Sequence, residues 1–310
     1  MPTPLKFGYK FSFFVFIFTF VVILAGGVVR TTQSGMGCPD WPTCFGQWIP
    51  PTSASELPPN FESYLKKQDI DHTFNVYHTW IEAINRYIAA LLGVFAAAQL
   101  IYYITQRRQS TYGRKALWYA IAYFILIIII GLVGAVVVTL NLAHLSISLH
   151  LILALLLVMV QLKLLLHLRP KAIAYITKPQ VTWLVVASVL ISIQYILGTV
   201  VRMYIDDVSK ALNYTQRDAW LRDEPTTFLI HRSFSWLVMG ILLYLPVLLY
   251  NNKVAKPRAI TLCILGLSNA IVGIVLYYAH MPAAAQPVHL LLATLLVTQL
   301  VYIWCTSVKV

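Results

Sequence analysis

The sequence predicts an all-α integral membrane protein with eight transmembrane helices in two repeat-related halves of four. Three observations lead there. The 310 residues are 59% hydrophobic and 11% charged, with a mean hydropathy of +0.73, far from the composition of a soluble domain. Apolar runs near the length that crosses a bilayer core recur eight times, at about 11–29, 80–104, 116–139, 147–167, 180–201, 226–249, 258–279 and 287–306. The first half can also be laid on the second. "LHLILALLLV" around His150 falls on "VHLLLATLLV" around His289, each 16 residues after a glycine, Gly134 and Gly273. "AINRYIAALLG" around Asn85 falls on "LIHRSFSWLVMG" around His231, so that Arg86 matches Arg232, and "LAGGVVR" ending at Arg30 falls on "ILGTVVR" ending at Arg202.

The first run follows a short basic N-terminus and continues for about nineteen residues with no small-residue cleavage pattern, as expected of a retained helix rather than a signal peptide. With the N-terminus taken as cytoplasmic, that side carries Lys6, Lys10, Arg107, Arg108, Arg114, Lys115, Arg169, Lys171, Lys178, Lys253, Lys256, Arg258 and Lys309, and no acid. Ten of the eleven acids fall in two long outer loops, and the eleventh, Glu82, lies in a span. The formal charge of +12 is therefore the positive-inside bias. Its dispersal over several segments gives no support for nucleic-acid binding. The expectation is a multi-pass protein of the cell inner membrane, held by the lipid bilayer, with both termini cytoplasmic.

In the first outer loop, "GCPDWPTC" leaves five residues between Cys38 and Cys44, which permits a small disulfide ring on an oxidising face. A metal pair competes, but no second Cys or His pair at zinc spacing accompanies it. Cys263 and Cys305 lie in spans and are expected to be buried small apolar residues.

Ionisable groups inside a bilayer are costly, so each is a functional candidate. They are Glu82, Arg86, His150, Lys163, His231, Arg232 and His289, with His167 at a cytoplasmic helix end. Lys163 and His167 can reach the interface by snorkelling. The rest lie near the outer ends of the second, fourth, sixth and eighth spans, which all run inward and so present them at one depth. His231 facing His289 across a bundle has the geometry of bis-imidazole heme ligation, with the iron between two axial nitrogens. A lone histidine would instead suggest a helix–helix hydrogen bond. Two histidines at positions marked by the repeat, each on a helix of Leu, Ile, Val and Ala, favour a cofactor.

Arg86 and Arg232 directly follow Asn85 and His231, turned from them by about 100°. A guanidinium there can pair with a heme propionate, or with an outer-loop acid such as Asp223 or Glu224. Glu82 precedes Asn85 by three residues and shares its helix face, whereas the second half has Phe228 at that place. Only the first half thus carries a carboxylate for proton or carbocation chemistry, with simple i,i+4 pairing to Arg86 as the competing use.

With these residues in view, the chain resembles the heme A synthase family of cytochrome oxidase assembly. "GGVVRTTQSGMGCPDWPTCFGQWIPP" is similar to that family's first outer loop, Glu82 to Arg86 resembles its E-x-x-H-R motif, and His150, His231 and His289 stand at its other histidine positions. The resemblance covers nearly the whole chain. It implies two pseudo-twofold-related four-helix bundles, with residues 1–172 receiving the substrate heme O and residues 173–310 holding a permanent heme b through His231 and His289, Arg232 beside it. The implied reaction converts the C8 methyl of heme O to a formyl group, by successive hydroxylations and dehydration of a gem-diol, giving heme A for cytochrome c oxidase. Side chains cannot oxidise an unactivated methyl, so a redox heme iron is required. Glu82 would stabilise cationic character at the methyl carbon or shuttle protons. The implied partners are a heme O synthase, the cytochrome c oxidase assembly route and an electron donor, for which quinol is one option. Homo-oligomers are left open.

Asn85 departs from the family histidine, and asparagine is a poor heme ligand. The expectation is that His150 holds the substrate heme from one side, with Arg86 at its edge and the position at Asn85 open or weakly occupied. His78, about 10.5 Å up the same helix face and so near the membrane surface, is the substitute. The second outer loop, from about Met203 to Pro225, lacks the cysteine pair that some members carry. A diheme-type cytochrome b electron-transfer protein without synthase activity would need two histidine pairs and gives Glu82 no task. A transporter would need more Pro and Gly breaks in mid-span than occur here.

Overall fold

A computed structural model of the chain describes residues 3–65, 73–106, 111–140, 142–222 and 224–310. Asp69, Asp71, Arg107, Arg108 and Asp223, which enter the charge pattern, lie outside the described residues. The long helices are α1 (Thr3–Thr31), α3 (Val76–Gln106), α4 (Thr111–Thr139), α5 (His144–Leu168), α6 (Lys178–Ala211), α7 (Thr226–Leu248), α8 (Ala255–Tyr278) and α9 (Ala285–Cys305); a short α2 (Phe61–Leu65) and two strands, β1 (Ala174–Ile176) and β2 (Ser307–Lys309), complete the order. All eight long helices are long and apolar enough to cross a bilayer, so this is a multi-pass membrane protein.

The chain divides into two compact units, Met1–Pro170 and Lys171–Val310. In the first, α1 and α4 each pack on both α3 and α5, which puts α3 and α5 on one diagonal of a four-helix ring. In the second, α6 and α8 each pack on both α7 and α9, so α7 and α9 are diagonal. Antiparallel neighbours leave each unit with a loop end and a terminus end. At the loop end of the first unit lie residues 32–65 and 73–75, and at that of the second residues 212–222 and 224–225.

The helices outrun the apolar segments because polar residues prolong them past the hydrocarbon. The largest difference is in α6, which continues to Ala211 through residues expected to be outer loop. Asp206 and Asp207 are thus helical, and Arg202 bridges Asp206 one turn on at 3.2 Å. Helix starts carry their own signals. Asn75 Oδ1 accepts the N–H groups of Tyr77 and His78 at 3.0 and 3.3 Å, and Asn252 Oδ1 accepts those of Val254 and Ala255. Thr177 and Gln180 form a capping box ahead of α6, with a proline in its first turn.

Polar clamps hold the terminus ends. In the first unit, Gln99 and Gln161 exchange amide hydrogen bonds at 3.2 and 2.7 Å across the α3–α5 diagonal. Gln161 also donates to the Ser12 carbonyl at 2.8 Å, and the Ser12 and Tyr103 hydroxyls bond at 2.9 Å. In the second unit, Arg258 is not a free interfacial cation: 9% exposed, it donates to the Thr306 carbonyl at 2.9 Å, the Thr306 hydroxyl at 2.8 Å and the Ala172 carbonyl. It thereby fastens the parallel β1–β2 pair. Cys263 is half-buried and Cys305 exposed, contrary to the expectation that both are buried, because Cys305 ends α9 beyond the packed core.

The loop residues 32–65 are held by their own chemistry. Cys38 and Cys44 form a disulfide, and Asp40 accepts the N–H groups of Phe45 and Gly46 and the Thr43 hydroxyl. Phe45 stacks edgewise on Tyr64 and Phe74. Gly37 lies directly on the His78–Thr79 backbone, where any Cβ would overlap it.

Two outcomes are expected. Gln161→Leu strands the Gln99 amide and should lower unfolding stability in detergent by about 1–2 kcal/mol, with part recovered in the Gln99→Leu/Gln161→Leu pair. Mass spectrometry of unreduced peptides should return Cys38 and Cys44 linked, and Cys38→Ser should speed protease cleavage within 32–75 while leaving the helices intact.

Candidate functional site

Each unit is tightly packed at its terminus end and capped at its loop end, with an interval between that no buried side chain fills. In the first unit no residue is buried over 21–26 of α1, 84–91 of α3, 124–137 of α4 or 147–156 of α5. Leu92, Tyr123 and Leu157 close the interval below, and Glu82, Ala83 and Ser146 close it above. In the second the same holds for 192–200 of α6, 229–237 of α7, 267–280 of α8 and 288–293 of α9. Leu184, Val238 and Leu296 lie on one side, and Val201, Phe228 and Met281 on the other. Protein interiors pack to crystal-like density, so a bundle that fails to fill its own middle leaves room for another group. At about 1.5 Å per residue, these intervals of roughly ten residues are about 15 Å deep.

Asn85, His150, His231 and His289 fall in these intervals. Each is followed seven residues later, two turns along the same face, by a buried apolar residue: Leu92, Leu157, Val238 and Leu296. All four therefore lie on the inward stripe of their helices. His231 and His289 stand on diagonal helices of the second unit, as do Asn85 and His150 in the first.

Each imidazole rests against a glycine of the preceding long helix. A Cβ at Gly134 would lie 3.6 Å from His150 Cε1, one at Gly198 3.3 Å from His231 Cε1, and one at Gly273 3.4 Å from His289 Cε1. Nδ1 of His150 and Oδ1 of Asn85 are buried with no hydrogen-bond partner, whereas the His231 and His289 rings face the backbone of Gln194 and Asn269 on the preceding helices. Such groups are rare and call for a reason. Imidazoles on the inward stripes of diagonal helices, beside an interval in which no residue is buried, suit the ligation of a flat iron macrocycle.

Glu82 and Arg86 belong to the roof of the first unit. Glu82, 4% exposed, accepts the Cys38 N–H at 2.8 Å on Oε2 and Arg86 at 2.5 Å on Oε1. Arg86 also donates to the carbonyls of Cys38, Asp40 and Thr43 at 3.1, 2.6 and 2.9 Å. The pair thus ties α3 to the disulfide ring, and the guanidinium is spent on the loop. Arg232 is different: it is half-exposed, 3.5 Å from Glu224, and lies over the rings of Phe228 and Tyr277. Of the two acids named for it, Glu224 is the partner seen. His78 sits in the first turn of α3 beneath Gly37, two turns from the Asn85 interval.

Two residues escaped a search limited to ionisable groups. Gln194 and Asn269 lie one turn before Gly198 and Gly273, each with a buried, unpaired side-chain oxygen. Gln194 also donates to the His231 carbonyl at 3.2 Å. The signal was available as an amide four residues before each repeat glycine; the first half has Val22 and Ile130 at those places.

The family model described as cytochrome oxidase assembly protein matches residues 9–301. Among curated proteins, the chain is 41% identical over 78 residues to a "Heme A synthase" of Shewanella oneidensis, covering 25% of this chain and 22% of that protein. It is 32% identical over 99 residues to one of Rhizobium johnstonii, 29% of this chain and 26% of the relative. It is 43% identical over 54 residues to one of Halalkalibacterium halodurans, 16% and 18% respectively. These matches span about a quarter or less of the relatives' length. The family match instead runs through both four-helix units and every one of the four interval positions, and the chain belongs to the cytochrome oxidase assembly protein family.

Proposed function

We propose that this protein is a heme A synthase, oxidising the C8 methyl of heme O to a formyl group. The observation that carries the reading is the interval in each unit in which no residue is buried, flanked by imidazoles on the inward stripes of diagonal helices. The names of the relatives point to the same reaction.

In the second unit, within 173–310, His231 and His289 hold a resident heme b from diagonal helices. That group supplies one-electron transfer. Arg232 is available for a propionate, because a half-exposed contact of 3.5 Å to Glu224 is worth at most about 1 kcal/mol and is easily exchanged. In the first unit, within 1–172, His150 holds the substrate heme O with Asn85 opposite, while His78 has no part. Arg86 acts at one remove, by fixing the loop and the Glu82 carboxylate. Glu82 borders the interval three residues from Asn85, and its carboxyl group stabilises cationic character at the methyl carbon or exchanges a proton there. Cations on the terminus side orient both termini to the cytoplasm of a cell inner membrane. A heme O synthase supplies the substrate, cytochrome c oxidase assembly takes the product, and a quinol is a fitting electron donor. A diheme electron carrier is disfavoured by Asn85 and by a carboxylate in one half only.

Co-expression with a heme O synthase, followed by chromatography of the extracted hemes, tests the activity: heme A should appear, and heme O alone would refute the reading. His231→Ala and His289→Ala should each remove or shift the low-spin heme b spectrum, and an unchanged spectrum in both would end that assignment. Glu82→Gln keeps shape but loses the charge, so heme A yield should fall by about tenfold or more or stall at an alcohol. The heme b spectrum and the Cys38–Cys44 bond should persist in that variant; full heme A yield would remove Glu82 from the chemistry.

A further inference from the structure

The glycine register that seats the imidazoles has one uncovered member. Gly134, Gly198 and Gly273 lie beneath His150, His231 and His289. Gly26 is the repeat mate of Gly198, as Asn85 is of His231, and α1 packs on α3 as α6 packs on α7. Yet a Cβ on Gly26 would meet nothing within 4 Å.

Gly26 does not point toward lipid. It continues the stripe of Ser12, Val15 and Thr19, each at most 1% exposed, and Val29 follows three residues later at 9%. By that register it lies on the inward stripe, and the shorter asparagine stands where the second unit has the His231 ring. The room that the His231 ring takes over Gly198 is therefore left without a side chain over Gly26. At its edge is an amide, which offers both a donor and an acceptor, and whose Oδ1 has no partner.

We infer that the space between Gly26 and Asn85 is a binding site for an external iron ligand no larger than imidazole, present in the first unit and closed in the second by His231. The inference rests on the reading of the first unit as a heme site held by His150. A heme held by His150 alone would leave its iron open to a further ligand, and this uncovered face on the Asn85 side is where that ligand would be accommodated.

The test uses the purified full-length protein saturated with protoporphyrin IX iron, titrated with imidazole in the ferric state and with carbon monoxide in the ferrous state, and followed by optical and electron paramagnetic resonance spectra. A fraction lost in His150→Ala should be high-spin, become low-spin with imidazole and bind carbon monoxide. The fraction lost in His231→Ala should do neither. Asn85→His should abolish both responses without loss of heme. Gly26→Leu places a side chain where no neighbour stands, so it should fold, weaken imidazole binding by about tenfold or more and leave carbon monoxide binding in place.

A His150-dependent heme that is already low-spin and inert to both ligands would overturn the ligand site and leave the heme assignment standing. So would an unchanged imidazole affinity in Gly26→Leu. If His150→Ala keeps the parent's heme content and spectra, the heme assignment of the first unit falls, and the ligand site with it.

Discussion

Everything in this protein is arranged around a gap that helices do not naturally leave. Four apolar helices in a ring close on themselves when their inward stripes can interdigitate, and here they do so only at one end. Over the middle no residue is buried, and only partly buried side chains such as Val22, Ile127 and Phe234 reach in from the packed ends. Leu92, Tyr123 and Leu157 in the first unit, and Leu184, Val238 and Leu296 in the second, form the floors. Polar clamps lock those floors: the paired glutamine amides of α3 and α5, and the Arg258 guanidinium that binds the β1–β2 pair. Within a bilayer such bonds have no water to compete with them, which suits them to fixing helix spacing where dispersion alone would permit sliding.

The roofs differ in kind. In the first unit a buried ion pair joins a transmembrane helix to a disulfide-closed loop, with the Glu82 carboxylate and three loop carbonyls arrayed around Arg86. Removing one partner would leave a buried charge uncompensated, so the pair fixes how the disulfide-closed loop seats on α3. In the second unit the roof is aromatic and exchangeable, with Arg232 over Phe228 and Tyr277 and in loose contact with Glu224. A rigid roof with a carboxylate suits a site where charge develops at a defined atom, and a yielding roof suits a resident group that is merely held.

The alternation of glycine and imidazole along the spans gives one rule for both units. A glycine on one helix lets the ring of the next lie flat against it, and the seven-residue step to a buried apolar residue aims that ring inward. The asymmetry between the units then follows from few changes: Asn85 for a histidine, Glu82 for Phe228, and amides at Gln194 and Asn269 where the first half has Val22 and Ile130.

Sequence by itself determined the membrane spans, because a bilayer core demands unbroken apolar runs of a set length. It also singled out the histidines, because an ionisable group there is costly enough to need a purpose, and the repeat told them apart from chance. The Cys38–Cys44 pairing was legible from spacing and compartment alone. Tertiary structure decided what depends on residues far apart in the chain. Arg86 turned out to be committed to carbonyls more than forty residues away, and Arg258 became a buried clamp on segments that no local pattern brings together. The extension of α6 past its apolar run was hidden because hydropathy reports where lipid ends, not where a helix does. The open face of Gly26 was beyond any local pattern, since what distinguishes it from its three counterparts is the reach of a side chain on a neighbouring helix.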